Sequence, residues 1–313
     1  MAALVLTPPS THLLEKKCQV FPSDRAALSS AFVNGGAWLR HPPLRLAGAP
    51  KVSSVEAQRP QPLHPVAAKG SEYDVVVVGG GIIGLTVARQ LLLGSDLSVA
   101  VVDARVPCSG ATGAGQGYIW MVYRTPGSGL WELALRSKQL WEDFARSVEC
   151  QGMDPVQVLG WKKTGSLLIG RTLGELAVLQ EKVKMLNKAG LGAVYLSASS
   201  LALEEPALDV GPDWGAVFYP DDCQLDAQRA VSFIQQGNRK FTREGRYAEF
   251  FNDPAICLLR STRNGEVEAV QTSKNILYGR RAVIVAAGAW SGSLTQSLVG
   301  PEIALGVPVK PRK

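Results

Sequence analysis

The stretch from Tyr73 to Asp103 constrains this chain more than any other. Val75-Val76-Val77-Val78 is a short β-branched run of the kind expected for a parallel strand buried on both faces. Gly79-Gly80-Gly81-Ile82-Ile83-Gly84 follows at once, and Leu85 to Leu92 has the composition of a helix, with Gly94 as its stop. A second strand, Leu97 to Val102, ends in Asp103. In this arrangement Gly79 permits a tight turn out of the strand, Gly81 lets the backbone approach a pyrophosphate, and Gly84 lets the helix pack closely on the strand. A diphosphate would sit at the helix N-terminus, where free N–H groups and the helix dipole favour negative charge.

Three glycines alone would suit an ordinary turn. Strand, glycines, helix, second strand and terminal acid occurring in order point instead to dinucleotide binding in a Rossmann-like α/β unit. Asp103 can accept hydrogen bonds from a ribose diol. A ribose 2′-phosphate would meet it as a like charge, which disfavours NADP.

Two further segments narrow the cofactor. Cys108-Ser109-Gly110-Ala111-Thr112-Gly113-Ala114-Gly115-Gln116-Gly117-Tyr118 is rich in small residues and forms a second loop able to approach a phosphate, with Thr112 as a donor. Ala282-Val283-Ile284-Val285-Ala286-Ala287-Gly288-Ala289-Trp290-Ser291 is a buried strand running into a small-residue turn, as if returning to the same sheet. With these pieces together the chain resembles the FAD-dependent D-amino-acid oxidase family, the group that includes glycine and sarcosine oxidases. Its marks are a strand with GGGxxG, an acid ending strand two, an A-S/T-G-x-x-x-G loop and a late AAGAW turn. They match here as Gly79 to Gly84, Asp103, Ala111-Thr112-Gly113 with Gly117, and Ala286 to Trp290.

Landmarks between them are also similar to the family. Thr164 to Ile169 resembles its first substrate-domain strand, Glu205-Pro206 its "eP" turn, and Gln224-Leu225-Asp226 the return to the cofactor domain. The resemblance implies a Rossmann-like FAD-binding domain with an inserted α+β substrate domain. The boundaries expected are residues 71–150 for the first part of the FAD-binding domain, 151–225 for the substrate portion and 226–313 for the return. The cofactor implied is FAD, held by Gly79, Gly81, Ile82, Gly84, Asp103, Ala104, Thr112, Gly113, Gly117, Ala287 and Gly288. Ile256 matches the position whose backbone meets the adenine, although the flanking Phe250-Phe251-Asn252-Asp253-Pro254 departs from the family pattern. The family continues beyond the position of Lys313 with a late glycine-containing segment at the flavin, so the resemblance also implies a C-terminally truncated form lacking the last part of both domains.

The first seventy residues differ in character from the rest. They hold nine of the 19 prolines, all three histidines, eight basic residues and three acidic ones. Dense proline removes backbone donors and disfavours helix, and a basic, acid-poor N-terminus resembles an organelle transit peptide. A disordered plastid address is expected over residues 1–70, with a mitochondrial one as the alternative. The formal charge of +6 lies mostly in this segment, which argues against a nucleic-acid-binding domain. The longest apolar run, Val75 to Ala88, is too short to span a bilayer. Five scattered cysteines without a CxxC pair indicate neither a disulfide framework nor a metal site.

No histidine follows His64, which excludes a Ser-His-Asp or Cys-His centre in the folded region. This suits flavin chemistry, in which the cofactor accepts the hydride and the protein orients the substrate. The resemblance implies oxidation of a small amine or amino acid, and no catalytic residue is assigned. Arg124, Lys162 and Lys163 are candidates for a substrate carboxylate, against the simpler reading of surface charges. Tyr118 and Trp120 suit either a flavin-pocket wall or core packing, and the tryptophans of Leu130 to Phe144 suit the core of an amphipathic helix. Two other readings stay open: a non-catalytic truncated isoform that binds nucleotide weakly, and an NAD-dependent dehydrogenase. The latter accounts for Gly79 to Asp103 but not for the Thr112 loop or the AAGAW turn.

Overall fold

A computed structural model of the 313-residue chain describes residues 4–6, 69–292 and 294–295. Most of the expected transit segment (7–68) and the end of the chain beyond 295 lie outside the described residues. Within the N-terminal segment, Leu4–Leu6 forms strand β1.

The central sheet grows from the valine run. Strand β2 (Lys69–Val78) lies parallel to β3 (Val99–Val102), with Val75 opposite Val99 and Val78 opposite Val102. Helix α1 (Ile82–Gly94) connects them. The helix starts earlier than its apolar pattern suggests and runs through Gly94, with Ser95 as its C-cap; the second strand begins at Val99 rather than Leu97. Alternation decides the packing. Val75, Val77, Val99 and Val101 face Leu85, Ala88 and Leu92 of α1, whereas Val76, Val78, Ala100 and Val102 face the opposite side. Both sides are covered, which is why the strand is apolar at every position rather than at every second one.

The chain then leaves this sheet. A short helix α2 (Ala111–Ala114) leads to β4 (Tyr118–Ile119), followed by α3 (Trp131–Cys150) and α4 (Pro155–Leu159). Trp131 is buried in the core, as expected. Next come β5 (Ser166–Gly170), α5 (Leu173–Lys188), β6 (Val194–Ser197), α6 (Ala198–Glu204) and β7 (Gly215–Tyr219). Strands β5 and β6 flank β7 in an antiparallel sheet, with Leu179 and Leu186 of α5 buried against Val217 and Tyr219. Strand β8 (Cys223–Gln224) pairs with β4 and leads into α7 (Ala227–Arg239), whose N-cap Asp226 accepts the N–H groups of Gln228 and Arg229.

Helix α7 returns the chain to the first sheet. Val231 and Ile234 bury against the α1 side, and the Asn238 side-chain amide donates to the Leu85 carbonyl at 3.0 Å. Strand β9 (Tyr247–Phe250) extends the sheet parallel to β3. An antiparallel run, β10 (Ala255–Arg260), β11 (Val267–Thr272) and β12 (Asn275–Val285), completes it. The last of these lies parallel to β2 on the side away from β3, the return expected for Ala282 to Ser291, and β1 pairs with its far end, Leu4 opposite Val285. Leu258, Val270 and Leu277 cover the side of β2 and β3 away from α1.

One buried carboxylate ties the β9–β10 loop to the β11–β12 turn. Asp253 is 1% exposed and accepts hydrogen bonds from Thr272 Oγ1 (2.7 Å), Asn275 Nδ2 (2.7 Å), Ser273 Oγ (2.8 Å) and the Lys274 N–H (2.9 Å). Burial pushes its carboxyl up, but the four donors outweigh that effect and hold the pKa below its ordinary value. A carboxyl lowered in the folded state contributes stability above its unfolded pKa, and the contribution is lost as pH falls through the folded pKa. Asp253→Ala is expected to cost about 2–4 kcal/mol at neutral pH by stranding buried donors. In urea titrations of both proteins the difference should shrink as the solution is acidified below about pH 4; a difference independent of pH would refute the carboxylate's role.

Candidate functional site

The carboxyl ends of β2, β3 and β12 meet at one edge of the central sheet, and the predicted cofactor residues converge there. Gly79 leaves β2 at φ +121°, a conformation that residues with a side chain rarely adopt, and its N–H donates to Val102 O at 2.7 Å. A Cβ on Gly79 would overlap the Ala286 carbonyl oxygen, so the glycine turn and the Ala286–Gly288 turn lie in direct contact. The Ala286 N–H donates to Val78 O at 2.7 Å. A Cβ on Gly84 would overlap the Gly79 carbonyl oxygen, which is the close approach of helix to strand that this position was expected to serve.

Asp103 closes the turn from the neighbouring strand. Its Oδ2 accepts the Gly80 N–H at 2.7 Å, and its Oδ1 accepts the Arg105 N–H at 2.7 Å. Each carboxylate oxygen retains a further lone pair, so the acid still has two acceptor sites. Ala104 beside it is exposed. The N-cap residue of α1, Gly81, has no side chain to cap the helix and no acidic residue stands in its first turn, so the helix itself supplies no counter-charge to the positive end of its dipole.

The second loop reaches the same place. Thr112 Oγ1 accepts the Ile82 N–H at 3.2 Å, and a Cβ on Gly81 would come within 3.1 Å of that oxygen. The hydroxyl proton of Thr112 is left free to donate. Gly113 packs against the Cys108 carbonyl, and Gly117 packs so closely against Leu225 O that a Cβ would overlap it, with the Leu225 N–H donating back to Gly117 O at 3.0 Å. The glycines therefore seat the loop between the cofactor edge and β8.

Ile256 lies apart from this cluster, on β10. Ala255 pairs with Thr272 and Cys257 with Gln271, which makes Ile256 the extra residue of a bulge with its backbone outside the ladder. The loop before it is anchored at Asp103: the Asp253 N–H donates to Asp103 O at 3.0 Å and the Asn252 N–H to Arg105 O at 3.1 Å. The acid at the end of strand two and the bulge thus share one loop.

The basic candidates do not converge. Lys163 is paired with Asp221 at 2.6 Å, and Arg124 is exposed, its carbonyl taken by Lys182 Nζ. Lys162 borders an open cleft of about 610 Å³ between the second loop and the start of α7, beside Gly113, Gln116, Gly160, Gln224 and Arg229. Tyr118 is 47% exposed, which removes it from the core. Among the described residues Cys108, Cys150, Cys223 and Cys257 are free thiols, no cluster of His, Cys, Asp or Glu is arranged to hold a metal, and no helix is long and apolar enough to cross a membrane. Burial first, with nearby charges, pushes the Cys223 thiol up to about 11, so it is unreactive at neutral pH.

Two structural acids went unnoticed in the sequence. Asp253 sits in a stretch that has the appearance of ordinary loop punctuation, and Asp222 in an acidic pair in which nothing distinguishes the buried member from its half-buried neighbour Asp221. The closest helix–strand contact yields a direct test. Gly84→Ala must push α1 off β2, a loss of about 3 kcal/mol by overpacking, whereas Gly94→Ala, with open space around it, should be neutral or stabilising in thermal unfolding.

Comparison with known proteins agrees with this geometry. The profile of the DAO family, described as FAD dependent oxidoreductase, matches residues 74–313. The chain is 26% identical over 286 residues to the hydrogen cyanide synthase subunit HcnC of Pseudomonas protegens, covering 77% of this chain and 63% of that protein. It is 27% identical over 246 residues to glycine oxidase of Geobacillus kaustophilus, covering 77% and 60%. The crystal structure of glycine oxidase from Bacillus cereus superposes with a TM-score of 0.61 at 25% identity, over 72% of this chain and 57% of that one. The chain thus spans about three-fifths of the length of these relatives. With the glycine turn, the strand-two acid, the Thr112 loop and the late Ala-Ala-Gly turn gathered at one sheet edge, the chain belongs to the DAO family of FAD-dependent oxidoreductases.

Proposed function

We propose that this protein is a flavin-dependent oxidoreductase that removes a hydride from the carbon beside the nitrogen of a small amine or amino acid. The observation that carries the reading is the convergence of Asp103, the start of α1 and Thr112 on one edge. Similarity to glycine oxidase supports the amine substrate class.

The residues present fit FAD. The two open acceptor sites of Asp103 suit a ribose diol, and its charge discriminates against a 2′-phosphate. The N-terminus of α1 and the free Thr112 proton suit the diphosphate. The Ala287–Gly288 turn, packed against Gly79, suits the approach of the flavin portion, and the Ile256 bulge offers a backbone donor and acceptor for adenine. When bound, the flavin supplies the hydride acceptor; the chain holds it in place and orients the substrate. An NAD-dependent dehydrogenase has no use for the Thr112 loop and the Ala287–Gly288 turn, and no observation favours a non-catalytic isoform. The basic, proline-rich residues 1–70 support a plastid address, testable by locating a fluorescent fusion of that segment in plant cells.

Purified protein should be yellow, or take up added FAD with a shifted flavin spectrum. Thr112→Val removes one charge-assisted hydrogen bond of about 1.5–3 kcal/mol and should weaken FAD binding about 10- to 150-fold. Anaerobic glycine, sarcosine or L-proline should bleach the bound flavin. Folded protein that stays colourless and ignores FAD, or a flavin that no amine reduces, would contradict the reading.

A further inference from the structure

Directly after Gly117 the chain carries three aromatic rings in register. Tyr118 and Trp120 have ring centroids 4.5 Å apart, Trp120 and Tyr123 4.7 Å, with interplanar angles of 30° and 32°. Stacking usually accompanies burial, yet Tyr118 and Tyr123 are 47% and 48% exposed. Met121 and Val122, between them in sequence, are buried at 1% and 0%. The segment therefore divides into a core side and an open aromatic side. The ladder begins at the end of the Thr112 loop and ends at β5, where Tyr123 Oη donates to Leu167 O at 3.4 Å.

The turn that carries the ladder is closed by the Arg124 N–H donating to Met121 O at 2.9 Å. Its remaining donors are taken from a distance. Asp222 is fully buried, and its two oxygens accept the Met121 N–H at 2.7 Å and the Val122 N–H at 3.1 Å. Ser166 also hydrogen-bonds this carboxylate, and Lys138, itself 5% exposed and paired with Glu142, places positive charge nearby. The Asp222 carbonyl accepts the Gly165 N–H at 3.0 Å. Removing a carboxylate from water is costly, so a buried acid aimed at two consecutive N–H groups sets the path of that backbone closely.

We infer that Asp222 is the positioning residue of an aromatic wall, Tyr118–Trp120–Tyr123, that lines the substrate side of the flavin loop and receives the apolar part of the amine. This rests on the reaction proposed above. Held in this way, the wall presents ring faces with little rotational freedom, suited to an apolar or planar substituent rather than to a second charge.

The wall can be tested without substrate. Rings stacked at these distances couple their transitions, so near-ultraviolet circular dichroism of the purified chain should show a band that Trp120→Phe alters. Asp222→Asn keeps the volume but turns an NH2 toward one of the two N–H groups. It should lose most of that band with the far-ultraviolet spectrum retained, whereas Ser166→Ala, which spares both N–H contacts, should keep it. With an amine that bleaches the flavin, Asp222→Asn should raise KM about fivefold, the worth of one aromatic contact, with kcat and FAD affinity unchanged. A full band or an unchanged KM in folded Asp222→Asn overturns the inference. If that variant does not fold, amide exchange in the wild type decides: Met121 and Val122 exchanging as fast as the exposed turn at Gly127 overturns it, and strong protection together with a raised KM in Trp120→Ala supports it. A flavin that no amine reduces counts against the proposed reaction instead, and the dichroism arm still decides the role of Asp222.

Discussion

The contact on which the site depends is the closure of the Gly79 turn between its two neighbouring strands. The Gly79 N–H reaches Val102 O, the Gly80 N–H reaches the Asp103 carboxylate, and the Ala286 N–H reaches Val78 O. These bonds place the ends of β2, β3 and β12 side by side and aim the start of α1 outward. They require that no side chain stand at Gly79 or Gly84, because the Ala286 carbonyl occupies the space a Cβ on Gly79 would need and the Gly79 carbonyl the space a Cβ on Gly84 would need. Valines packed on both faces keep the strands in register underneath, and a parallel sheet of this kind places binding at the carboxyl ends of its strands.

Carboxylates, most of them buried or half-buried, complete the site in the same manner. Asp103 caps the glycine turn, Asp226 caps α7, Asp222 holds the Met121–Val122 turn and Asp253 holds the β11–β12 turn. In each case an acid accepts at least one backbone N–H that the main chain around it leaves without a partner. A carboxylate does this well because it is acceptor-only and makes charge-assisted bonds. The irregular segments around the cofactor edge are thereby ordered without regular secondary structure.

The legible part of the site was local. Gly79, Gly81, Gly84 and Asp103 lie within one strand–helix–strand unit, and their roles follow from backbone geometry over a few residues. Small and hydroxylic residues around Thr112 and the small-residue turn at Ala287–Gly288 suggest close approaches, but their placement at the cofactor is what the family resemblance implies. Helix ends were less legible: α1 absorbs Gly94 because Leu91 and Leu92 still pack, and tertiary burial outweighs the modest helix cost of glycine. Arg124, Lys162 and Lys163 had no local signal separating a ligand from a solvated charge, and in the fold they do not converge: Arg124 is exposed, Lys162 borders the cleft and Lys163 is paired with Asp221.

By itself, then, the sequence determined the α/β unit, the direction of the cofactor-binding edge and the identity of its glycines and acid. Each is a consequence of dihedral freedom, periodicity and charge within a short span. Only the tertiary structure decided which of Asp221 and Asp222 is buried, that the N–H groups taken by Asp222 lie some 100 residues earlier in the chain, and that Asp253 joins the strand-two acid to a distant hairpin. The physical reason is that burial and hydrogen-bond partnership belong to the place where the chain returns, and adjacent identical residues acquire different environments only when it does.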